Sequence, residues 1–291
     1  MNFKTESLRL QLGFSPCPND TFMFDALVHS RIDTEGLHFE VVMEDVETLN
    51  QKALNGELSV SKVSFAAFTR MTDTYQMLNA GSAMGMGVGP LLIAKNPELW
   101  EGNPNASVAI PGKNTTANFL FNLFFPSSKN KKEMIFSEIE NAVLSGTVDA
   151  GVIIHENRFT YEQKGLKKIC DLGTLWENET GLPIPLGGIA VKKNLPEELK
   201  AKIDRVVRRS IEFAFANPES SVEYVKAHAQ EMDEAVRRKH IETYVNDFSV
   251  DLGEEGRKAI EVLFHKAQDA GLIQFIPSDI FVKQKAEMSN G

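Results

Sequence analysis

Residues 150–161 read AGVIIHENRFTY. Ala150 to Ile154 form an apolar run of strand length, and the run stops at four polar residues, His155, Glu156, Asn157 and Arg158. In an open α/β sheet, ligands bind just beyond the carboxyl ends of the strands. His155 therefore stands where a catalytic base would stand, and an ordinary imidazole pKa of about 6.5 suits proton transfer near neutrality. The same position suits a histidine that only hydrogen-bonds a neighbouring loop. The segment by itself leaves both readings open.

On either side of this segment, strand and helix patterns alternate. Leu8, Leu10 and Leu12 alternate with polar residues, and Phe14 and Ser15 close a first strand. Asp20 is expected to cap a helix through Phe22, Met23, Ala26 and Leu27. Period-two spacing of Leu37, Phe39, Val41 and Met43 gives a second strand, followed by a helix at 46–54 that ends at Asn55-Gly56. Further strands are expected at 58–63, 89–94 and 107–110, and helices at 65–71, 116–125 and 138–144. Residues 181–188, GLPIPLGG, are too rich in Pro and Gly for the interior of a regular element, with strand character returning at 189–191. Helices then run over 196–216, 218–230, 233–248 and 253–270. Beyond about Pro277 the chain reads as a tail, because KQKAEMSNG offers little to bury.

This β-α alternation points to an α/β fold with a largely parallel sheet. Two crossings, near 92–96 and 186–192, divide the chain into two lobes. Residues 1–94 and 190–291 form a discontinuous first lobe carrying the C-terminal helices, and the inserted 95–189 forms a second carrying His155. A cleft between lobes is a favoured site for a small molecule.

The chain has 291 residues and a net charge of −9, enough length for two domains and a sizeable core. The acidic balance argues against nucleic-acid binding, which relies on cations to neutralise phosphates. It is compatible with a small anionic substrate in a locally basic pocket. Two cysteines, Cys17 and Cys170, supply neither a disulfide framework nor a four-ligand zinc site. The N-terminus lacks the apolar core of a signal peptide, and no run approaches the ~18 apolar residues of a membrane span. The expected protein is cytoplasmic and not inserted in a membrane, and a homodimer is left open.

Four segments carry candidate chemistry. In SPCPNDT (15–21), Asn19, Asp20 and Thr21 lie at a helix start, where free N–H groups hold an anion or merely a cap. Cys17 reads either as a nucleophile paired with His155 or as a small buried hydrophobe. In SKVS (61–64), Lys62 offers a cation and Ser61 and Ser64 offer donors for a carboxylate, or else Lys62 is a solvated edge residue. In PGKNTT (111–116), Gly112 permits close backbone approach, and Thr115 and Thr116 bring hydroxyls and N–H groups to a helix start. The P-loop spacing is absent there. Phe119, Phe121, Phe124 and Phe125 read as core, with substrate stacking the alternative. The fourth segment is His155 itself. Strand alternation would point Glu156 to the opposite face, badly placed to share a metal with His155. His29, His38, His228, His240 and His265 are scattered. With no zinc, calcium or iron–sulfur pattern, the expected chemistry is metal-free acid–base work without a cofactor.

Six collinear motifs carry a family resemblance: GFSPCPNDTF (13–22), SKVSFAAF (61–68), GPLLIAK (89–95), IPGKNTTANFL (110–120), GVIIHENRFTYEQKGL (151–166) and GLPIPLGGIAV (181–191). Together they resemble the 1,4-dihydroxy-6-naphthoate synthases of the futalosine route to menaquinone. The resemblance implies a type II periplasmic-binding-protein-like fold used as a cytoplasmic lyase. Its substrate would be cyclic dehypoxanthinylfutalosine and its product 1,4-dihydroxy-6-naphthoate. His155 matches the family's proton acceptor. Lys62, Val63 and Ser64 match one substrate-binding segment, and Thr115 with Thr116 another. Asn19 and Asp20 are added from the loop reading. Two alternatives remain, a non-catalytic solute-binding protein and the sister chorismate dehydratase of the same pathway. A ligand-sensing regulatory domain is disfavoured because no DNA-binding segment is seen.

Overall fold

The computed structural model describes residues 9–100, 103–230 and 233–283; Leu8 and residues 284–291 of the expected tail lie outside them. In chain order, β1 (Arg9–Phe14), α1 (Pro18–Val28), β2 (His38–Met43), α2 (Val46–Leu54), β3 (Val60–Ser64) and the single turn α3 (Phe65–Phe68) lead to two short strands, β4 (Tyr75–Met77) and β5 (Ala83–Gly85). The chain crosses into β6 (Leu91–Ala94), β7 (Val108–Ile110), α4 (Thr116–Phe124), β8 (Lys131–Glu133), α5 (Ile139–Leu144), β9 (Ala150–Ile153), α6 (Asn157–Thr160), β10 (Lys167–Asp171) and α7 (Leu172–Thr180). It returns through β11 (Ile184–Lys192) and finishes in α8 (Glu197–Ala216), α9 (Val222–His228), α10 (Glu234–Tyr244), α11 (Asp247–Val250) and α12 (Gly253–Asp269).

The strands form two sheets, ordered β2-β1-β3-β11-β4, with β5 also on β11, and β10-β6-β9-β7-β8. β1, β2 and β3 run parallel, as do β7, β8 and β9. β11 is antiparallel to β3, β4 and β5, and β6 is antiparallel to β9 and β10. The sheets are thus mixed rather than largely parallel. The cause is the crossing itself. Gly187 pairs with Ser64 and Leu91 pairs with Ile153, so each crossing strand enters its sheet at the end where its parallel neighbours finish, and must run back against them. The chain changes sheets between Gly85 and Leu91 and again between Thr180 and Ile184, a few residues before the expected bounds at 94 and 190.

Three sequence expectations are corrected. The GLPIPLGG segment is no loop: β11 runs through it, with a register shift between Pro185 and Gly187. The glycines there serve close packing, since a Cβ on Gly187 would meet the Val63 carbonyl at 2.8 Å and one on Gly188 the Met77 sulfur at 2.6 Å. Asp20 is not the cap of α1. The helix starts at Pro18 with Cys17 in the cap position, because proline is pre-set for the first helical turn, and Asp20 is left inside that turn. The segment after Pro277 is not a loose tail as far as Lys283: Phe281 bridges to Met77, and Ile280 and Val282 are buried.

One apolar cluster lies under the first sheet, around Leu10, Leu12, Phe24, Ile189 and Val207. A smaller one lies under the second, around Leu91, Ile93, Ile139 and Val143. A third spans both sheets, joining Phe65, Phe68 and Phe264 to Phe121, Val152 and Trp176. Phe119 and Phe121 are buried in it, with Phe124 and Phe125 packed against it, so the α4 phenylalanines are core. Among the described residues, no helix is long and apolar enough to cross a membrane.

Candidate active site

The carboxyl ends of β1 and β3 face those of β7 and β9 across a cavity of about 690 Å³, its open mouth included. Asn19, Asp20, Lys62, Val63, Ser64, Thr115, Thr116 and His155 all line it. Residues from Asn19 to His155 meet because each lies at or just beyond the carboxyl end of a parallel strand, at the place where such sheets expose side chains and helix starts.

His155 follows β9 with φ of +60°, a left-handed conformation that costs a non-glycine residue energy and is concentrated at functional sites. Its ring is in edge contact with Phe136, centroids 4.8 Å apart, and nearly parallel to His240 at 6.0 Å. Cys17 Sγ lies 3.2 Å from Nδ1 and 3.6 Å from Nε2. Burial lowers the imidazole to a pKa of about 4, with the Glu156 charge opposing and His240 reinforcing the shift. At neutral pH the ring is uncharged and offers a lone pair. Burial also pushes the Cys17 thiol well above its usual value, so Cys17 faces His155 as a thiol and not as an activated nucleophile.

Because the strand ends at Ile153 and His155 is left-handed, strand alternation does not apply, and Glu156 turns to the same side. Cys17, His155 and Glu156 each place a donor atom within 4.8 Å of the others. The expectation that Glu156 points away is corrected on that ground. Burial drives the Glu156 carboxyl up, but His240 and His155 hold it at about 2. His240 Nδ1 lies 3.4 Å from Glu156 Oε2, and its Nε2 lies 3.1 Å from Asn19 Oδ1. Each ring nitrogen thus faces an acceptor. Sequence reading missed His240. It sits 85 positions from His155 on a late helix, and its only signal is the His240/Tyr244 pair, i and i+4 on one face, both of which line the cavity.

The rest of the polar cluster braces the loop. Asn157 donates to Glu140 at 2.8 Å, as does Lys164 at 2.6 Å. Arg158 donates to the carbonyls of Gly87 and Gly89 and to Asp171, the cap of α7.

Lys62 does not present a free cation. It is buried with its Nζ 3.0 Å from Asp20 Oδ1 and 3.1 Å from the Gly81 carbonyl. Asp20 also accepts from Ser15 N, Ser15 Oγ and Asn19 Nδ2, so the pair is compensated and satisfied, as a buried ion pair must be. Ser64 Oγ accepts from Asn50 Nδ2, which leaves its own hydrogen to donate. Ser61 is turned to the Lys62 carbonyl.

The threonine hydroxyls are committed too. Thr115 caps α4 through Asn118 N and donates to Gly112 O. Thr116 Oγ1 accepts from Ala66 N and donates to Leu186 O, tying the second lobe to the first. The backbone N–H groups of Thr116 and Ala117 remain, at a helix start that favours an anion.

This architecture, two sheets with the site between them, is that of the periplasmic-binding-protein fold. A periplasmic aliphatic sulphonate-binding protein of Escherichia coli matches with a TM-score of 0.61 at 11% identity, over 95% of this chain and 94% of that one. An Archaeoglobus fulgidus protein solved by X-ray crystallography matches with a TM-score of 0.86 at 37% identity, over 92% of this chain and 100% of that one. The chain belongs to the Menaquinone biosynthesis family, whose model matches residues 10–269. It is 47% identical to a 1,4-dihydroxy-6-naphthoate synthase of Thermus thermophilus, over 94% of this chain and 99% of that protein. It is 42% identical to the protein of that name from Streptomyces coelicolor, over 93% and 96%. The motif resemblance to this family is thereby borne out.

Proposed function

We propose that the chain is a carbon–carbon lyase of the cytoplasm that converts cyclic dehypoxanthinylfutalosine to 1,4-dihydroxy-6-naphthoate. The observation that carries the proposal is the His155 ring held at the cleft, in a left-handed backbone conformation, among the residues expected to bind substrate. The names of the two relatives support the choice of reaction.

In this reading His155 accepts a proton from a sugar-derived hydroxyl of the substrate. Retro-aldol cleavage follows, and aromatisation of the bicycle supplies driving force. An imidazole with a pKa near 4 is a weak base, so the imidazolium needs help as it forms. The ionised Glu156 beside it provides that help, as a buried carboxylate does for a catalytic histidine elsewhere. Ser64 steadies developing negative charge, and the free N–H groups at the start of α4 hold a separate anionic group. The substrate carboxylate is assigned to that helix start and not to Lys62, whose charge Asp20 already offsets.

The test is turnover by the purified protein and by His155→Asn, with product followed by absorbance and mass. Wild-type product with none from a variant that still binds substrate is the expected result. Undiminished turnover by the variant would remove His155 from the role, and binding without turnover in the wild type would favour a solute-binding protein.

A further inference from the structure

Cys17 on the first lobe and His155 and Glu156 on the second form a donor cluster that the proposed reaction uses only in part. Cys17 and Glu156 are each 5% exposed, and Glu156 Oε2 makes no hydrogen bond, only the 3.4 Å ion-pair contact with His240 Nδ1. A tetrahedral ion with bonds of about 2.3 Å to sulfur and about 2.0–2.2 Å to nitrogen and oxygen sets its ligand atoms roughly 3.5 Å apart. The sulfur-to-nitrogen separations here are 3.2 and 3.6 Å, and every donor lies within 4.8 Å of the others. Side-chain adjustments of about an ångström would close the set.

We propose that Cys17, His155 and Glu156 form a binding site for a zinc-type divalent transition ion, at which the ion competes with substrate. Thiolate, imidazole and carboxylate together suit zinc or cobalt, whereas magnesium and calcium prefer oxygen alone. On binding, the thiol proton leaves to solvent and a metal–sulfur bond forms, with no change of oxidation state. Thiolate and carboxylate then balance the two charges of the ion. Of the three, His155 lines the cavity, and from that side a fourth position would be open to water or an anion. Bound there, the ion takes a lone pair of His155, so it acts as an inhibitor. Only this competition rests on the function proposed above; the ion site itself does not.

The full chain, freed of metal with a chelator and titrated with cobalt(II), tests the site. One cobalt per chain is expected, with visible bands of a four-coordinate ion and a near-ultraviolet thiolate charge-transfer band. Cys17→Ser should lose the near-ultraviolet band and Cys170→Ser should keep it. Glu156→Gln should weaken cobalt binding by more than the roughly tenfold that loss of a mere outer-shell partner costs, which serves if Cys17→Ser does not fold. No cobalt bound, or a thiolate band that survives Cys17→Ser, overturns the site. Zinc should raise KM at unchanged kcat and a chelator should reverse it; cobalt binding without zinc inhibition overturns the competition. A chain that binds cobalt through Cys17 but turns over no substrate overturns the proposed function and leaves the site standing.

Discussion

Charge in this site is managed residue by residue, and that decides how it responds to pH. His155 is held to a pKa of about 4, so the acid limb of kcat/KM should centre near 4, not near the ordinary histidine value of about 6.5; a limb at 6.5 would place the base elsewhere. The same shift makes a stability statement. The unfolded chain binds a proton at His155 that the folded chain refuses, so stability is complete above about 6.5 and falls as the pH drops toward 4; thermal melts between pH 7 and 4 would show it. Asp20 compensates the buried Lys62. Asp20→Ala should therefore cost about 3–5 kcal/mol, read as a lowered denaturant midpoint, whereas an exposed pair would cost under about 1 kcal/mol. Of these residues, His155 and Lys62 were legible in the sequence as polar residues at strand ends. The pairings were not, since Asp20, itself read as a candidate, is 42 positions from Lys62, and His240 is 85 from His155, and no local pattern records such distances.

At the scale of elements, periodicity located most strands and helices, because each needs one apolar face whatever it packs against, but it left β4, β5, β8, β10, α6 and α7 unread. It failed at β11, where Pro and Gly punctuate the sequence but the strand continues. Glycine there meets the demand of a neighbour for space, which a local reading takes for a turn. The approach of β6 to α7 shows the same demand. A Cβ on Gly173 would stand 2.7 Å from Gly89 Cα, backbone against backbone, with no side chain able to yield. Gly173→Ala should cost about 1–3 kcal/mol from overpacking, while Gly181→Ala, whose Cβ meets nothing within 4 Å, should cost less, through its φ of +68° alone. Equal losses in the two variants would show that packing is not the cause. The helix starts are also an element-scale matter. The hydroxyls of Thr115 and Thr116 are spent on capping and on the lobe contact, and Thr115 N donates to Gly112 O, so what this helix start can offer an anion is the backbone N–H of Thr116 and Ala117, as any residues there would supply.

At the scale of the whole molecule, the two lobes are held together on both sides of the cavity. On one side, Glu47 accepts from the backbone and side-chain nitrogens of Asn114, and Gly112 packs so closely that an added Cβ would meet Glu47 at 2.5 Å. On the other, Glu156 faces His240. Burial raises the Glu47 carboxyl against these bonds. Glu47→Ala should remove about 1.5–3 kcal/mol from the closed arrangement, seen as a raised KM and a larger radius of gyration by small-angle scattering; an unchanged radius with unchanged KM would mean the shared core alone keeps the lobes closed. That core, running from Phe264 to Trp176, limits how far they can part. By itself the sequence determined the alternation of strands and helices, the two-lobed plan, the family and the candidate residues at the ends of parallel strands, all of which rest on local patterning or on motifs contiguous in the chain. Only the tertiary structure decided the antiparallel entry of β6 and β11, the neutralisation of Lys62, the arrival of His240 and the convergence of Cys17 with His155 and Glu156. Those follow from which surfaces meet when the apolar faces are buried, and burial is a property of the folded whole.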